Sequence, residues 1–185
     1  MADMNKRHWK LITVFLTLIL ILVYSSYDRF QAGTKPISIV YVRVVKVHDG
    51  DTLSIILNGK REKVRLIGMD APELNQRPWG LKAKKYLGEL LSISKWIVTL
   101  ELDVERRDKY GRLLCYVWTP DKKMINLQMI KDGYAMLLTI PPNIKYVDEL
   151  RKAQHEARQR KLGIWSSRGL KESPRDYREK HTAYR

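Results

Sequence analysis

The sequence predicts an α+β fold, an OB-type barrel of five strands with three helices packed against it. Three segments rich in β-branched residues follow one another between residues 39 and 69, and two more lie between residues 96 and 119. Segments with helical spacing of apolar residues are few and do not alternate regularly with the strands. This order favours a small antiparallel barrel over a parallel βαβ sheet.

The first three strands are predicted to form a meander over residues 39–48, 52–57 and 60–69. Asn58-Gly59 is a strong signal for a two-residue hairpin turn between the second and third strands. The turn between the first and second strands contains Asp49 and Gly50, which suit a tight turn. It is followed directly by Asp51, a carboxylate at the start of a strand that turn geometry does not explain.

The remaining elements follow in order along the chain. Pro78 suits the first turn of a helix over residues 79–91. Two strands, 96–102 and 113–119, then surround a polar loop, and a short helix is closed by Gly133. A charged helix begins at residue 146, with Gly163 beyond its end, and the polar residues 166–185 are expected to form a basic, disordered tail.

The N-terminus predicts an export segment over residues 1–26. Three basic residues precede an apolar run from Leu11 to Tyr24, which is shorter than the ~20 residues of a spanning helix and suits a signal peptide. Cleavage by a signal peptidase and retention as a membrane anchor are both open. In either case the positive-inside rule places the following domain outside the cytoplasm, secreted or anchored, after a linker over residues 27–38.

The charge balance points to polyanionic partners. Lys and Arg number 35 against 20 Asp and Glu, a formal net charge of +15, which suits nucleic acid or, for the N-terminal segment, an anionic membrane surface. The chain has the length of one domain, over residues 39–165, and we expect a monomer. Its single cysteine, Cys115, lies in an apolar run and is expected to be a core residue.

Carboxylates at strand ends predict a divalent cation site. In a meander, the turn that contains Asp51 lies at the end of the sheet where the third strand finishes in Asp70. Two converging carboxylates repel each other unless a cation lies between them, and oxygen ligands favour Ca²⁺ or Mg²⁺. Glu73 follows within three residues and is a spare carboxylate that suits a general base.

Two arginines complete this group. Arg65 lies between Val64 and Leu66 in an apolar strand, and Arg112 opens the fifth strand. A guanidinium in such a place needs an anion, and phosphate accepts two parallel hydrogen bonds from it. Cation, arginines and a spare carboxylate together suit phosphodiester hydrolysis.

Four motifs in one order, HDGDTLSI, VRLIGMDAPE, DKYGRLLCYVW and KLGIW, resemble those of the staphylococcal nuclease (thermonuclease-like) family. The resemblance covers about residues 42–165. It implies an OB-type barrel that cleaves DNA and RNA with Ca²⁺ and leaves 3′-phosphate ends.

The resemblance also implies a role for each matching residue. Metal binding is implied for Asp51, Asp70 and the backbone carbonyl of Ala71. Catalysis is implied for Glu73 as general base and for Arg65 and Arg112 on the phosphate. Supporting or substrate-binding roles are implied for Asp49, Lys109 and Tyr110.

One segment departs from the family pattern. The family presents two tyrosines beside the bound base after the position of Gly133, whereas this chain has no aromatic residue between Tyr134 and Tyr146. Base stacking contributes ~1–3 kcal/mol per base, so base preference is expected to differ here.

Two other classes of protein compete with the nuclease. A non-catalytic nucleic-acid-binding module would keep the barrel and lose the carboxylates, and the joint presence of Asp51, Asp70 and Glu73 argues against it. A basic protein that binds anionic lipid through its tails would leave these strand-end carboxylates unexplained.

Overall fold

The chain divides into two units, residues 1–38 and residues 39–185. The computed structural model describes residues 2–32 and 41–182. In the first unit a helix, α1, runs from Ala2 to Ala32 and so includes residues 27–32 of the predicted linker, whose other residues lie outside the described ones. Over the described parts of the chain, no helix has the combined length and hydropathy of a membrane span.

The second unit contains the predicted elements in the predicted order. Its first half has β1 Tyr41–Val47, β2 Thr52–Leu57, β3 Lys60–Leu66, β4 Met69–Asp70 and α2 Trp79–Ile93. Its second half has β5 Ile97–Arg107, β6 Leu113–Trp118, α3 Ile125–Lys131, β7 Met136–Leu137, α4 Val147–Gln159, a 3-10 helix Gly163–Trp165 and α5 Pro174–Thr182.

Five of these strands close into a barrel in the order β1-β2-β3-β6-β5, which confirms the predicted fold class. Four strand pairs are antiparallel, and the parallel pairing of β3 with β6 closes the barrel. Alternate side chains point inward and are fully buried, among them Leu53, Ile55, Val64, Leu66 and Val98. The three predicted helices, α2, α3 and α4, add apolar side chains to the same core.

The third strand ends earlier than the sequence predicts. β3 stops at Leu66, and the chain turns at Gly68, where φ is +76° and a side chain would be strained. Asp70 therefore belongs to a separate two-residue strand, β4, which pairs with β7 rather than with the barrel. The turn points the chain away from the barrel before Asp70 and leaves this residue at the barrel end.

The segment after Trp165 differs from the disordered tail that the sequence predicts, because it carries the helix α5. The residues that lead to α5 are hydrogen-bonded to α2 and to the loop before α2. Trp79 Nε1 donates to the carbonyl of Arg168 at 3.2 Å, and Gln76 Nε2 donates to the carbonyl of Glu172 at 3.1 Å. Ser173 then accepts a hydrogen bond from the backbone N–H of Asp176 at 3.1 Å, as a helix N-cap does. Residues 183–185 lie outside the described residues.

Cys115 is fully buried on β6, in agreement with the expected core role. Burial raises the pKa of its thiol to about 12, so the thiolate that a nucleophile requires is scarce at neutral pH.

Candidate active site

The turn after β1 places Asp51 at the end of β3. The backbone N–H of Asp51 donates to Asp49 Oδ1 at 3.0 Å, and the carbonyl of Asp51 accepts from the backbone N–H of Leu66 at 2.8 Å. The next residue, Thr52, is paired with Arg65 in the register of β2 and β3. Asp51 and Arg65 are thereby neighbours across the sheet, as the predicted meander requires.

Gly50 is needed for close approach rather than for an unusual backbone angle. A Cβ atom at this position would lie 2.6 Å from the Cβ of Ala71 and 2.8 Å from the Cβ of Ala83 on α2. The turn with Asp51 therefore packs directly against the segment that contains Asp70 and Ala71. The Gly at position 50 brings two separate pieces of the site together.

Two buried carboxylates converge on one nitrogen atom. Arg65 Nη2 lies 3.2 Å from Asp51 Oδ2 and 3.1 Å from Asp70 Oδ1. Asp51 is further held by Thr52 Oγ1, which donates to Oδ1 at 3.0 Å, and by the N–H of Ala71, which donates to Oδ2 at 3.0 Å. The two carboxylates are thus preorganised around a positive charge.

This donor set fits a hard divalent cation. In residues 2–32 and 41–182 no group of three or more His, Cys, Asp or Glu side chains is arranged to hold a metal ion. The two carboxylates of Asp51 and Asp70 nevertheless meet at one positive centre, and Ca²⁺ and Mg²⁺ accept backbone carbonyls and water as further ligands. By the family resemblance, the residues that would hold such an ion are Asp51, Asp70 and the backbone carbonyl of Ala71, whose N–H donates to Asp51 Oδ2.

Asp49 lies in the same turn, two residues before Asp51. Burial, together with the negative charge of Asp51, raises the pKa of Asp49 to about 6. Ionisation of Asp49 is therefore less favourable than that of a free carboxyl, because acidic groups are concentrated at this turn. Asp49 also accepts the hydrogen bond that orients the backbone of Asp51.

The guanidinium of Arg65 spans the base of the site. Its side chain is only 12% exposed, and Nη1 donates to the carbonyls of Leu66 at 2.5 Å and Met69 at 3.1 Å. The bond to Met69 crosses the break between β3 and β4, whereas Leu66 still belongs to β3. Arg65 therefore holds the position of Asp70 as well as contacting its carboxylate.

Arg112 lies on a different loop, with Lys109 and Tyr110. Its Nε donates to Asp108 Oδ2 at 2.6 Å, and its backbone N–H donates to Oδ1 of the same residue at 3.0 Å. Burial opposes ionisation of Asp108, but these hydrogen bonds outweigh it and lower the pKa of that carboxyl. The Tyr110 ring lies 5.5 Å from the Arg112 guanidinium and 5.1 Å from the Lys109 ammonium.

Glu73 is 38% exposed and meets a residue that the sequence analysis did not include in the site. Arg178 of α5 bonds through Nη1 to Glu73 Oε1 at 2.7 Å and to Asp70 Oδ1 at 3.1 Å. Its Nη2 bonds to Asp70 Oδ2 at 2.8 Å. Two arginines therefore contact Asp70, one from β3 and one from α5.

A cleft of about 690 Å³ gathers these groups. Asp70 is not among the residues that line the cleft. Its carboxylate contacts Arg65 and Arg178, and both of these arginines line the cleft. Leu138 and Ile140 line the cleft in the segment where the family has tyrosines, and Ile140 is 58% exposed. The predicted site residues that line the cleft are Asp49, Asp51, Arg65, Ala71, Glu73, Lys109, Tyr110 and Arg112.

Three contributing residues were not predicted. Thr52 and Asp108 orient Asp51 and Arg112, and each lies within four positions of its partner, so local sequence contained a signal for both. The signal for Arg178 was the pair Ser173-Pro174, which is typical of a helix start. That pair predicts helix α5 but not where it docks.

Comparison with known proteins agrees with this geometry. A family model described as "Staphylococcal nuclease homologue" matches residues 63–167. A protein of Staphylococcus intermedius named "Thermonuclease" is 37% identical over 161 residues, 84% of this chain and 94% of the relative. A Bacillus subtilis (strain 168) protein named "Endonuclease YncB" is 40% identical over 138 residues, 71% of this chain and 64% of the relative. The barrel, the order of the site residues and these matches together show that the chain belongs to the staphylococcal nuclease family.

Proposed function

We propose that this chain is a hydrolytic nuclease that uses Ca²⁺ to cleave phosphodiester bonds of DNA and RNA and leaves 3′-phosphate ends. The observation that carries the proposal is the convergence of Asp51 and Asp70 on one positive centre, at 3.2 and 3.1 Å, beside a cleft that is lined by Asp51, Glu73 and Arg112. The nuclease names of the two relatives support the reaction class. The products and the cation follow the family resemblance.

Each residue would have a distinct task in this reaction. A Ca²⁺ ion held by Asp51 and Asp70 would supply positive charge that stabilises the phosphate as negative charge grows on its oxygens. Glu73 accepts a proton from the attacking water, for which its partial exposure in the cleft is suitable. Arg65 and Arg112 bind phosphate oxygens, and Asp108 holds the Arg112 guanidinium through Nε.

The charge on the outer face of the barrel supports a nucleic acid as the substrate. Side chains alternate along a strand, so Arg65, Lys63 and Arg61 share one face of β3. The register places Ser54 between Lys63 on β3 and Lys46 on β1. Lys46, Arg61 and Lys63 are all exposed. A row of cations therefore continues from the cleft along the barrel.

The lowered pKa of His48 reflects its burial and the positive charge on this face of the barrel. Its ring lies 2.8 Å from Ser54 Oγ, and burial lowers its pKa. Four nearby cations lower that pKa further: Lys46, Lys63, Lys84 and Arg61. Such a surface attracts a phosphate backbone without reading its bases, in agreement with a low sugar and base specificity.

Cleavage of a labelled oligonucleotide tests the proposal. We expect the purified full-length chain to cut single-stranded DNA and RNA with Ca²⁺ and to stop when a chelator removes the ion. The matched control is Asp51→Asn, because a neutral amide is a poorer ligand for a hard cation. If the chain binds the oligonucleotide but shows no Ca²⁺-dependent cleavage, the assignment as a nuclease is wrong and the chain is a non-catalytic binding module.

Export is a separate part of the proposal. It rests on the basic residues before the apolar run Leu11–Tyr24, which suit a signal peptide or an N-terminal anchor. Protease added to intact spheroplasts is expected to degrade the domain, while a cytoplasmic marker survives. Complete protection of the domain until the membrane is lysed would contradict export.

A further inference from the structure

The C-terminal helix α5 inserts an arginine into the candidate active site. Arg178 contacts both carboxylate oxygens of Asp70, at 3.1 and 2.8 Å, and one oxygen of Glu73 at 2.7 Å. With Arg65 Nη2 also bonded to Asp70 Oδ1 at 3.1 Å, both oxygens of Asp70 are engaged by guanidinium groups. The candidate metal ligand and the candidate general base are thus both bonded to one side chain.

Contacts outside the carboxylates also hold the segment that contains Arg178. The chain leading to α5 is tied through Gln76 and Trp79, whose side chains donate to the carbonyls of Glu172 and Arg168. Gln76 also accepts the backbone N–H of Glu73 at 2.9 Å. One side chain therefore links the loop of Glu73 to the start of the segment that delivers Arg178.

Arg178 is held less firmly than Arg65. The Arg178 side chain is 40% exposed, against 12% for Arg65, so water reaches its bonds and a competing cation has access to them. α5 itself is short and its residues are strongly polar, so it is marginal as an isolated helix and requires its tertiary contacts. Arg178 is therefore the arginine that can leave without disturbing the base of the site.

We propose that α5 is an autoinhibitory segment, in which Arg178 competes with the divalent cation for Asp70 and blocks Glu73 until the cation displaces it. The inference rests on the proposed function, because it requires the cation to bind at Asp51 and Asp70. Docked Arg178 bonds to both oxygens of Asp70 and adds positive charge at this carboxylate, so it opposes the binding of a divalent cation there. Cation binding and docking of α5 are then linked, and each must weaken the other by the same factor.

Calorimetric titration of Ca²⁺ into the full-length chain, without substrate, tests this competition. Arg178→Ala is expected to tighten Ca²⁺ binding by about three- to tenfold, the factor by which docked Arg178 lowers the competent fraction. Arg175→Ala is the matched control on the same helix, because Arg175 pairs with Glu179 and lies outside the cleft lining. Its Ca²⁺ affinity is expected to equal that of the wild type.

Three results would overturn the proposal in different ways. Equal Ca²⁺ affinity of the wild type and Arg178→Ala would show that Arg178 does not compete with the cation, while the proposed metal site would stand. Weaker oligonucleotide binding by Arg178→Ala, at unchanged Ca²⁺ affinity, would make Arg178 a phosphate ligand instead. Absence of Ca²⁺ binding to both proteins would remove the metal site of the proposed function and the competition with it.

Amide hydrogen exchange provides the reciprocal measurement. Ca²⁺ is expected to speed exchange over Pro174–Thr182 in the wild type, because a released α5 loses the contacts that protect its backbone. Asp51→Asn is the control in which Ca²⁺ should have no such effect. Unchanged or slower exchange of α5 at saturating Ca²⁺ would contradict displacement of the helix.

Discussion

Replacing Glu73 by Gln is expected to slow cleavage by about 10²–10⁴-fold, the usual contribution of a general base. The amide keeps the shape of the side chain but cannot accept a proton from water. The backbone of Glu73 is held by Gln76, whose Oε1 accepts its N–H at 2.9 Å, so the loop should remain in place. The measurement is the single-turnover cleavage rate of an oligonucleotide at saturating Ca²⁺.

The control separates this effect from a general loss of charge. Glu62→Gln removes a carboxylate that pairs with Arg107 at 2.9 Å and does not line the cleft. Its rate is expected to match the wild type, and Ca²⁺ binding should persist in Glu73→Gln because Asp51 and Asp70 are untouched. A Glu73→Gln protein that cleaves at the wild-type rate would exclude Glu73 as the base.

Replacing Arg65 by Lys is expected to cost about 2.7–4 kcal/mol of transition-state stabilisation, or about 10²–10³-fold in rate. An ammonium cannot reproduce the planar set of bonds that Arg65 makes to two carboxylates and to the carbonyls of Leu66 and Met69. Thermal unfolding should shift to lower temperature as well, since those bonds hold β4 against the barrel.

Arg112→Lys is expected to show a comparable loss of rate with a smaller change in stability. The Arg112 side chain is 27% exposed, and its described bond is to Asp108 on its own loop, so it holds no second strand in place. Arg151→Lys is the matched control on the protein surface, because Arg151 pairs with Asp148 on α4 and does not line the cleft. Near wild-type cleavage by both Arg65→Lys and Arg112→Lys would mean that these arginines are structural.

Much of the candidate site was predictable because its signals are local. The turn with Asp49 and Gly50, the alternation of β2 and β3 and the hairpin at Asn58-Gly59 together specify which ends of the strands meet. Because these strand ends meet, Asp51 and Arg65 must lie close together, and the register of β2 and β3 confirms it. The reason for Gly50 was not predictable, since the Cβ contacts it avoids come from Ala71 and Ala83.

The sequence by itself determined the barrel class, the order of its elements and the identity of the chemical groups at the strand ends. Those properties depend on residue type and on spacings of a few positions. Strand geometry fixes the face on which each side chain lies, and turn geometry fixes where the chain reverses. Tertiary structure decided where β3 breaks, how the parallel pair β3–β6 closes the barrel, and which arginines surround Asp70. Asp70 and Arg178 are separated by 108 positions, and no local pattern encodes a contact between groups so far apart. Packing and charge complementarity in the folded chain select that contact, and so the folded structure, rather than any motif, brought α5 to the candidate active site.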